Sequence, residues 1–386
     1  MIKSLLKIIL TVFIPFQIVN AHDFSKIDNF ILSGISNHYF PGAQLVVGNS
    51  RGIIYSESFG YIDYESDVKV TTHTLYDLAS LTKVIATTTA IMKLYEEKKI
   101  DLYDVVSYYI PEFEKNGKKY IRIRNLLLHN SGLRAWIPFY QTCESKDDVI
   151  NAICDETLVS EPGEVTIYSD LNAVLLGEII ERVTGMSLDD YCELEIFKPL
   201  GMNNTFFNPK DVNRNSIAPT EYDKIWRGRL LQGEVHDETA AVMGGVSGNA
   251  GLFSTAEDVA VIMQMLLNHG DYINQNSTND NEKHFLSELT VEKFTTKELS
   301  SETSSSRAFG WDTKPEPTKW GRPCGELISE NCFGHTGYTG TSVWADKDRD
   351  LFIVFLTNRV FPTRDNLGIL EFRPELHNMI IELLEN

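Results

Sequence analysis

The sequence predicts a mixed α/β (α+β) protein: an antiparallel sheet built from both chain ends, flanked by helices, with a helix-rich insertion between. Three observations predict it. Short β-type runs separated by turn-forming clusters fall at residues 43–59 and again at 341–357. Apolar residues recur at helical spacing through the middle of the chain. The composition is ordinary, with 42% hydrophobic and 23% charged residues over 386 positions, and Gly and Pro form about a tenth of the chain. This excludes a wholly disordered, collagen-like or small disulfide-stapled chain. The length allows a large core and one or two domains. A net charge of −19 disfavours a nucleic-acid partner, because phosphate backbones demand clustered Lys and Arg.

Along the chain, residues 1–21 carry Lys3 and Lys7, then an apolar run from Ile8 to Val19, then the small-residue end Val19-Asn20-Ala21. That is the pattern of a cleaved signal peptide. The run is short and holds Pro15 and Gln17, so a spanning helix is disfavoured, and a periplasmic or secreted protein with no stable membrane span after cleavage is expected. Residues 43–59 read as two strands around Gly48-Asn49-Ser50-Arg51-Gly52, and 341–357 as two more around Asp346-Lys347-Asp348-Arg349-Asp350. Between them, Val84, Ile85, Thr88, Ile91, Met92 and Tyr95 mark one helix. Leu171, Val174, Leu175, Ile179 and Val183 mark another, with Gly185 as its stop. Asn274 to Lys283 and Ser300 to Ser306 read as polar loops. The tail from Glu371 to Leu384 reads as helix. The economical division is a signal peptide at 1–21, a sheet domain from 22–78 and 300–386, and a helix-rich domain from 79–299.

Export makes disulfides possible. Cys143 with Cys154, and Cys324 with Cys332, would close short loops, but five cysteines allow many pairings. Cys192 sits in a helix-like run and reads as a buried thiol.

Serine chemistry has two candidate signatures. Ser-x-x-Lys occurs at Ser4–Lys7, Ser66–Lys69 and Ser80–Lys83. Ser4 lies in the leader and Ser66 in a polar turn. Only Ser80 opens an apolar-periodic helix, where residues three apart share a face and the Lys83 amine can reach the Ser80 hydroxyl. A serine hydroxyl is a poor nucleophile without such an adjacent base. The rival is Gly48-Asn49-Ser50-Arg51-Gly52, which fits Gly-x-Ser-x-Gly. That elbow needs a helix after it, and here Ile53, Ile54 and Tyr55 continue as strand, so a hairpin turn explains the glycines better.

Two further segments follow in order: Tyr168-Ser169-Asp170, leading into the helix at 171–183, and His335-Thr336-Gly337, just before the strand at 341–346. The ordered set Ser-x-x-Lys, Tyr-x-Asn/Asp, Lys/His-Thr-Gly resembles the serine β-lactamase and penicillin-binding-protein superfamily. The likeness is nearest its class C-like branch, which includes esterases and D-amino-acid peptidases. Supporting stretches include Tyr76-Asp77-Leu78-Ala79-Ser80 and Gly244-Gly245-Val246 through Gly251-Leu252-Phe253-Ser254. The resemblance runs from about residue 28 to the C-terminus. It implies a β-lactamase/transpeptidase-like fold with the active site between the two domains, a small-molecule or peptide substrate, and no cofactor.

The resemblance also implies roles. Ser80 would attack a carbonyl and form an acyl-enzyme. Lys83 and Tyr168 would share the proton traffic, with Tyr168 as phenolate or near-phenolate. The Ser80 and Tyr338 N–H groups would form the oxyanion hole. His335 and Thr336, with Gly337 beside them, would line the site and touch a substrate carboxylate or the leaving group. Asp170 would orient Lys83 and the substrate amide. Two positions depart from the family pattern, which usually has Lys at 335 and Asn at 170. A histidine with a pKa near about 6.5 would hold a carboxylate only partly, and Asp170 repels one. Both changes favour an esterase or a differently anchored peptidase over an efficient β-lactamase. The alternative class is a catalytically inactive binding protein on the same fold. His129 reads as structural. His236-Asp237-Glu238 reads as a loop bordering the cleft, since no matched metal-ligand cluster accompanies it.

Overall fold

The computed structural model describes residues 22–272, 283–299 and 307–385. The expected leader at 1–21, the polar stretch 300–306 and all but the last residue of 274–283 lie outside them. Five helices organise the description: α1 (Ser25–Ser36), α2 (Thr89–Glu96), α3 (Asp170–Thr184), α4 (Ala256–Leu267) and α5 (Ile369–Glu385). The main sheet comprises β1 (Gly42–Asn49), β2 (Gly52–Gly60), β3 (Cys332–Thr336), β4 (Ser342–Asp346) and β5 (Leu351–Thr357). Its order is β3-β4-β5-β1-β2, and every neighbouring pair is antiparallel.

Both hairpins form where turn residues interrupt apolar runs, and the β1–β5 ladder joins the chain ends, with Ala43 opposite Thr357 and Gly48 opposite Phe352. At the turn after β1, Ser50 donates from its backbone N–H and its hydroxyl to the Asp350 carboxylate, 2.8 Å in each case. The elbow reading of Ser50 therefore gives way to the hairpin, because the chain continues directly into β2.

Side chains alternate across a strand, and both faces of this sheet are covered. Leu45, Ile353 and Phe355 pack with Ile27 and Ile31 of α1 and Phe372 and Ile380 of α5. Val46, Phe352 and Val354 point the other way, into the cluster that holds Val259, Ile262 and Met263 of α4. That double burial is why β5 reads as the unbroken apolar run Leu351–Leu356. Each fully buried side chain of this kind contributes about 1.5–3 kcal/mol. α3 ends where expected, at Gly185 with φ +71°, a left-handed conformation that glycine adopts without steric cost.

A small second sheet pairs Leu252–Ser254 with Tyr76–Asp77 on one side and Phe206–Phe207 on the other. It carries the chain to Ser80. The disulfide pairs considered above are not formed: all five cysteines are free and buried. Cys192 is the buried helical thiol expected, and the neighbouring Cys332, with burial, pushes the Cys324 thiol up. Among the described residues no helix is long and apolar enough to cross a membrane.

Candidate active site

The segment before Ser80 is held from three directions. Asp77, only 2% exposed, accepts from the Ala79 N–H through Oδ1 at 2.8 Å and from the His236 N–H through Oδ2 at 2.6 Å. Thr339 Oγ1 donates to the Asp77 carbonyl at 2.7 Å, and Thr341 Oγ1 to the Leu78 carbonyl at 3.0 Å. Ala79 is left-handed, with φ +47°, a strained value for a residue with a Cβ that persists only because its surroundings fix it. Gly337 closes the contact between the strand end and this segment. A Cβ there would lie 2.0 Å from Thr341 Oγ1 and 2.4 Å from the Leu78 carbonyl oxygen.

The stretch after Ser80 is not the regular α-helix that its periodicity suggests. A 3₁₀ turn at Ala79–Leu81 passes into a π-helical turn at Lys83–Thr88, and α2 follows. Such irregular turns accompany functional sites. Lys83 and Ser80 nonetheless meet, with Nζ donating to Ser80 Oγ at 3.0 Å. The same amine donates to the Asn249 carbonyl at 2.9 Å and pairs with Asp170 Oδ1 at 2.7 Å. Tyr168 stands beside them, with the Lys83 amine 5.2 Å from its ring centroid, and its hydroxyl is coupled electrostatically to Lys83.

The charge state follows from burial and neighbours. Burial works to discharge Lys83, but Asp170 and Tyr168 outweigh it and hold the ammonium above its ordinary pKa. Burial pushes the Tyr168 hydroxyl up; Lys83 draws it down and Asp170 pushes it up again, with a net rise. At neutral pH the pair is an ammonium and a neutral phenol. This runs against the expectation of a resting phenolate, and the main reason is burial of the Tyr168 hydroxyl, to which the Asp170 carboxylate adds.

His129 holds the tyrosine's segment. Its Nδ1 accepts from the Ser169 N–H at 3.0 Å, and its ring lies 4.7 Å from that of Tyr168. Burial, with Arg307 and Lys83 nearby, keeps it neutral. The structural reading of His129 fits this geometry.

Ser80, Tyr168, Asp170 and Tyr338 line a cleft of about 300 Å³, together with Trp136 and the stretch His236–Glu238. Lys83 is buried and meets the cleft through its contacts to Ser80 and Asp170. His335 is not on its wall: it is 2% exposed, packed 5.6 Å from the Tyr168 ring. Burial lowers its pKa to about 4, so it is neutral at pH 7. The half-charged carboxylate anchor expected from an ordinary histidine is therefore corrected. Its Nδ1 donates to the Thr336 carbonyl at 2.8 Å, which leaves Nε2 without a partner among the described residues. Thr336 is half-buried, and Gly337 is buried against Leu78.

Sequence reasoning missed three contributors. Asn249 holds Lys83 through its backbone carbonyl, a contact that no side-chain motif announces. Asp77 anchors the nucleophile segment from within a stretch noted only for its likeness. Arg364 borders the cleft, pairing with Glu221 at 2.7 Å and Glu238 at 2.9 Å. Among the described residues no group of three or more His, Cys, Asp or Glu is arranged to hold a metal.

A serine, a lysine and a tyrosine meeting beside an antiparallel sheet is the arrangement that the motif order implied, and comparison with known proteins places the chain in a family. The Beta-lactamase family profile matches residues 27–374, and the chain belongs to that family. It is 36% identical over 385 residues to the N-acetylmuramyl-L-alanine amidase of Bacillus subtilis, covering 90% of this chain and 84% of that one. It is 36% identical over 391 residues to a Salmonella typhimurium protein named D-alanyl-D-alanine carboxypeptidase, covering 91% and 86%. Among solved structures, the octameric penicillin-binding protein homologue of Pyrococcus abyssi superposes with a TM-score of 0.71 at 23% identity, over 94% of this chain and 77% of that one. A class C β-lactamase superposes at 0.69 with 18% identity, over 92% and 96%. At these identities the structural likeness establishes the fold.

Proposed function

We propose that the protein is an exported serine hydrolase that cleaves an amide or ester through an acyl-enzyme, of the peptidase or amidase kind for which its relatives are named, with esterase activity on small activated esters. One observation carries the reading: the Lys83 amine lies 3.0 Å from a Ser80 hydroxyl that opens to a cleft also lined by Tyr168.

In this mechanism Ser80 Oγ attacks the substrate carbonyl carbon while its proton passes to the Tyr168 oxygen, which is competent when ionised beside the Lys83 ammonium. The carbonyl electrons move to an oxyanion received by the Ser80 and Tyr338 N–H groups; one such donor is worth roughly 10²–10³ in rate. Collapse expels the leaving amine or alcohol, which takes the proton back from Tyr168. Water then repeats the sequence on the acyl-enzyme. Export rests on the leader-like residues 1–21 and is compatible with relatives named for peptidoglycan bonds.

The test is covalent labelling. A fluorophosphonate adds one adduct to the folded protein, mapped to Ser80, and a Ser80→Ala variant gains none. A folded native protein that takes no label at Ser80 would instead be a binding protein on this fold.

A further inference from the structure

Every cation at the cleft is already held by the chain's own acceptors. Lys83 pairs with Asp170, and Arg364 is shared between Glu221 and Glu238. Arg359, 6% exposed beneath the Tyr338 ring, donates to the carbonyls of Tyr338, Arg364 and Asn366. His335 is buried away from the cleft wall. None of these groups is free to receive a substrate carboxylate. Breaking one of the buried pairs to do so would strand its carboxylate partner at a cost of several kcal/mol in general terms.

The acceptors are in excess. Asp237 lines the cleft and is half-buried. Its Oδ1 accepts from the Ala240 N–H at 2.8 Å and from Asn249 Nδ2 at 3.1 Å, which fixes the carboxylate on the loop that also holds Lys83. Its Oδ2 has no partner among the described residues. Burial and the neighbouring Asp170 raise its pKa to about 6, the response of a carboxylate short of positive charge. The walls suit the same ligand. Trp136, 44% exposed, lines the cleft, and aromatic faces attract ammonium groups, whereas the Tyr168 and Tyr338 rings already meet Lys83, Arg307 and Arg359.

Resting on the hydrolase reading above, we propose that Asp237 determines specificity: its free carboxylate oxygen accepts from an ammonium group on the substrate near the scissile bond, and substrates with a carboxylate there are refused. The preferred substrate class is then an amine-bearing amide or ester, in contrast to a peptide that ends in a carboxylate beside the cleaved bond.

Boronic acids test this without knowledge of the natural substrate, because they add reversibly to an activated serine. Phenylboronic acid, 3-(aminomethyl)phenylboronic acid and 3-carboxyphenylboronic acid are compared for protection of Ser80 against a fluorophosphonate. The aminomethyl compound is expected to protect at roughly ten- to hundredfold lower concentration than the carboxy compound, the range of a charge-assisted hydrogen bond. In Asp237→Asn the gap between them narrows to within about threefold, with near-ultraviolet circular dichroism confirming the fold. A carboxy compound that protects as well as the aminomethyl one, including no protection by either, overturns the inference, as does a gap unchanged in Asp237→Asn. Failure of the fluorophosphonate to label Ser80 at all overturns the hydrolase reading and this inference with it.

Discussion

Tyr168→Phe lowers kcat/KM by roughly 10²–10⁴, the usual contribution of a positioned acid–base group. The variant keeps the ring between His129 and His335 and loses only the hydroxyl oxygen. Its pH profile separates a proton-transfer role from a packing role. In the proposed mechanism the competent base is ionised Tyr168, whose pKa is raised above its ordinary value. A base with a raised pKa is less ionised at neutral pH, so kcat/KM climbs with pH, about tenfold per unit, until that pKa is reached. Tyr168→Phe flattens this limb. Asp170→Asn moves it to lower pH, because Asp170 raises the pKa of both Lys83 and Tyr168 and the pair titrates together. Rate measurements from pH 6 to 10 on a p-nitrophenyl ester decide the matter. A steep limb surviving in Tyr168→Phe would remove the tyrosine from the proton path.

Asp77→Ala destabilises the fold by roughly 2–5 kcal/mol and slows Ser80 labelling at the same time. Two buried N–H groups, on Ala79 and His236, lose their acceptor, and an unsatisfied buried donor costs about 1–3 kcal/mol. The loss falls on the strained Ala79 immediately before the nucleophile and on the loop that carries Asp237. Asp77→Asn retains one acceptor oxygen but sets an amide donor against the second N–H, so it loses less than Ala and more than nothing. Urea unfolding followed by fluorescence gives the first quantity and labelling rate the second. An Asp77→Ala protein as stable as the native one would show that the two N–H groups find other partners.

The sheet was legible because its strands bury side chains on both faces and are closed by turn residues. Runs such as Leu351–Leu356, bounded by Asp346–Asp350, admit few other structures. α3 was legible for its periodicity and its Gly185 stop. The meeting of Ser80, Lys83 and Tyr168 was legible only as an ordered set of motifs, since nothing local brings residue 168 to residue 80. What the sequence could not convey was set by burial. An isolated histidine titrates near neutrality, and only the packing of His335 against Tyr168 shows that it does not. Tyr168 likewise reads as an activated phenol until the burial of its hydroxyl and the nearby Asp170 carboxylate are seen. Asn249 and Asp77 act through backbone groups, which a side-chain pattern does not reveal. The π-helical turn at Lys83–Thr88 was hidden because its apolar spacing is close to that of an α-helix.

The central partner of β1 is β5, and the threonines that clasp the serine's approach, Thr339 and Thr341, lie between β3 and β4. A polypeptide still emerging from a ribosome or a translocation pore carries its nucleophile long before it carries these last strands. A chain cut short before residue 339 therefore lacks both threonines, and one cut before residue 351 also lacks β5, the strand that joins β1 to β4. Pairing partners this distant also slow folding, so the newly made chain spends its longest vulnerable interval before it can hydrolyse anything.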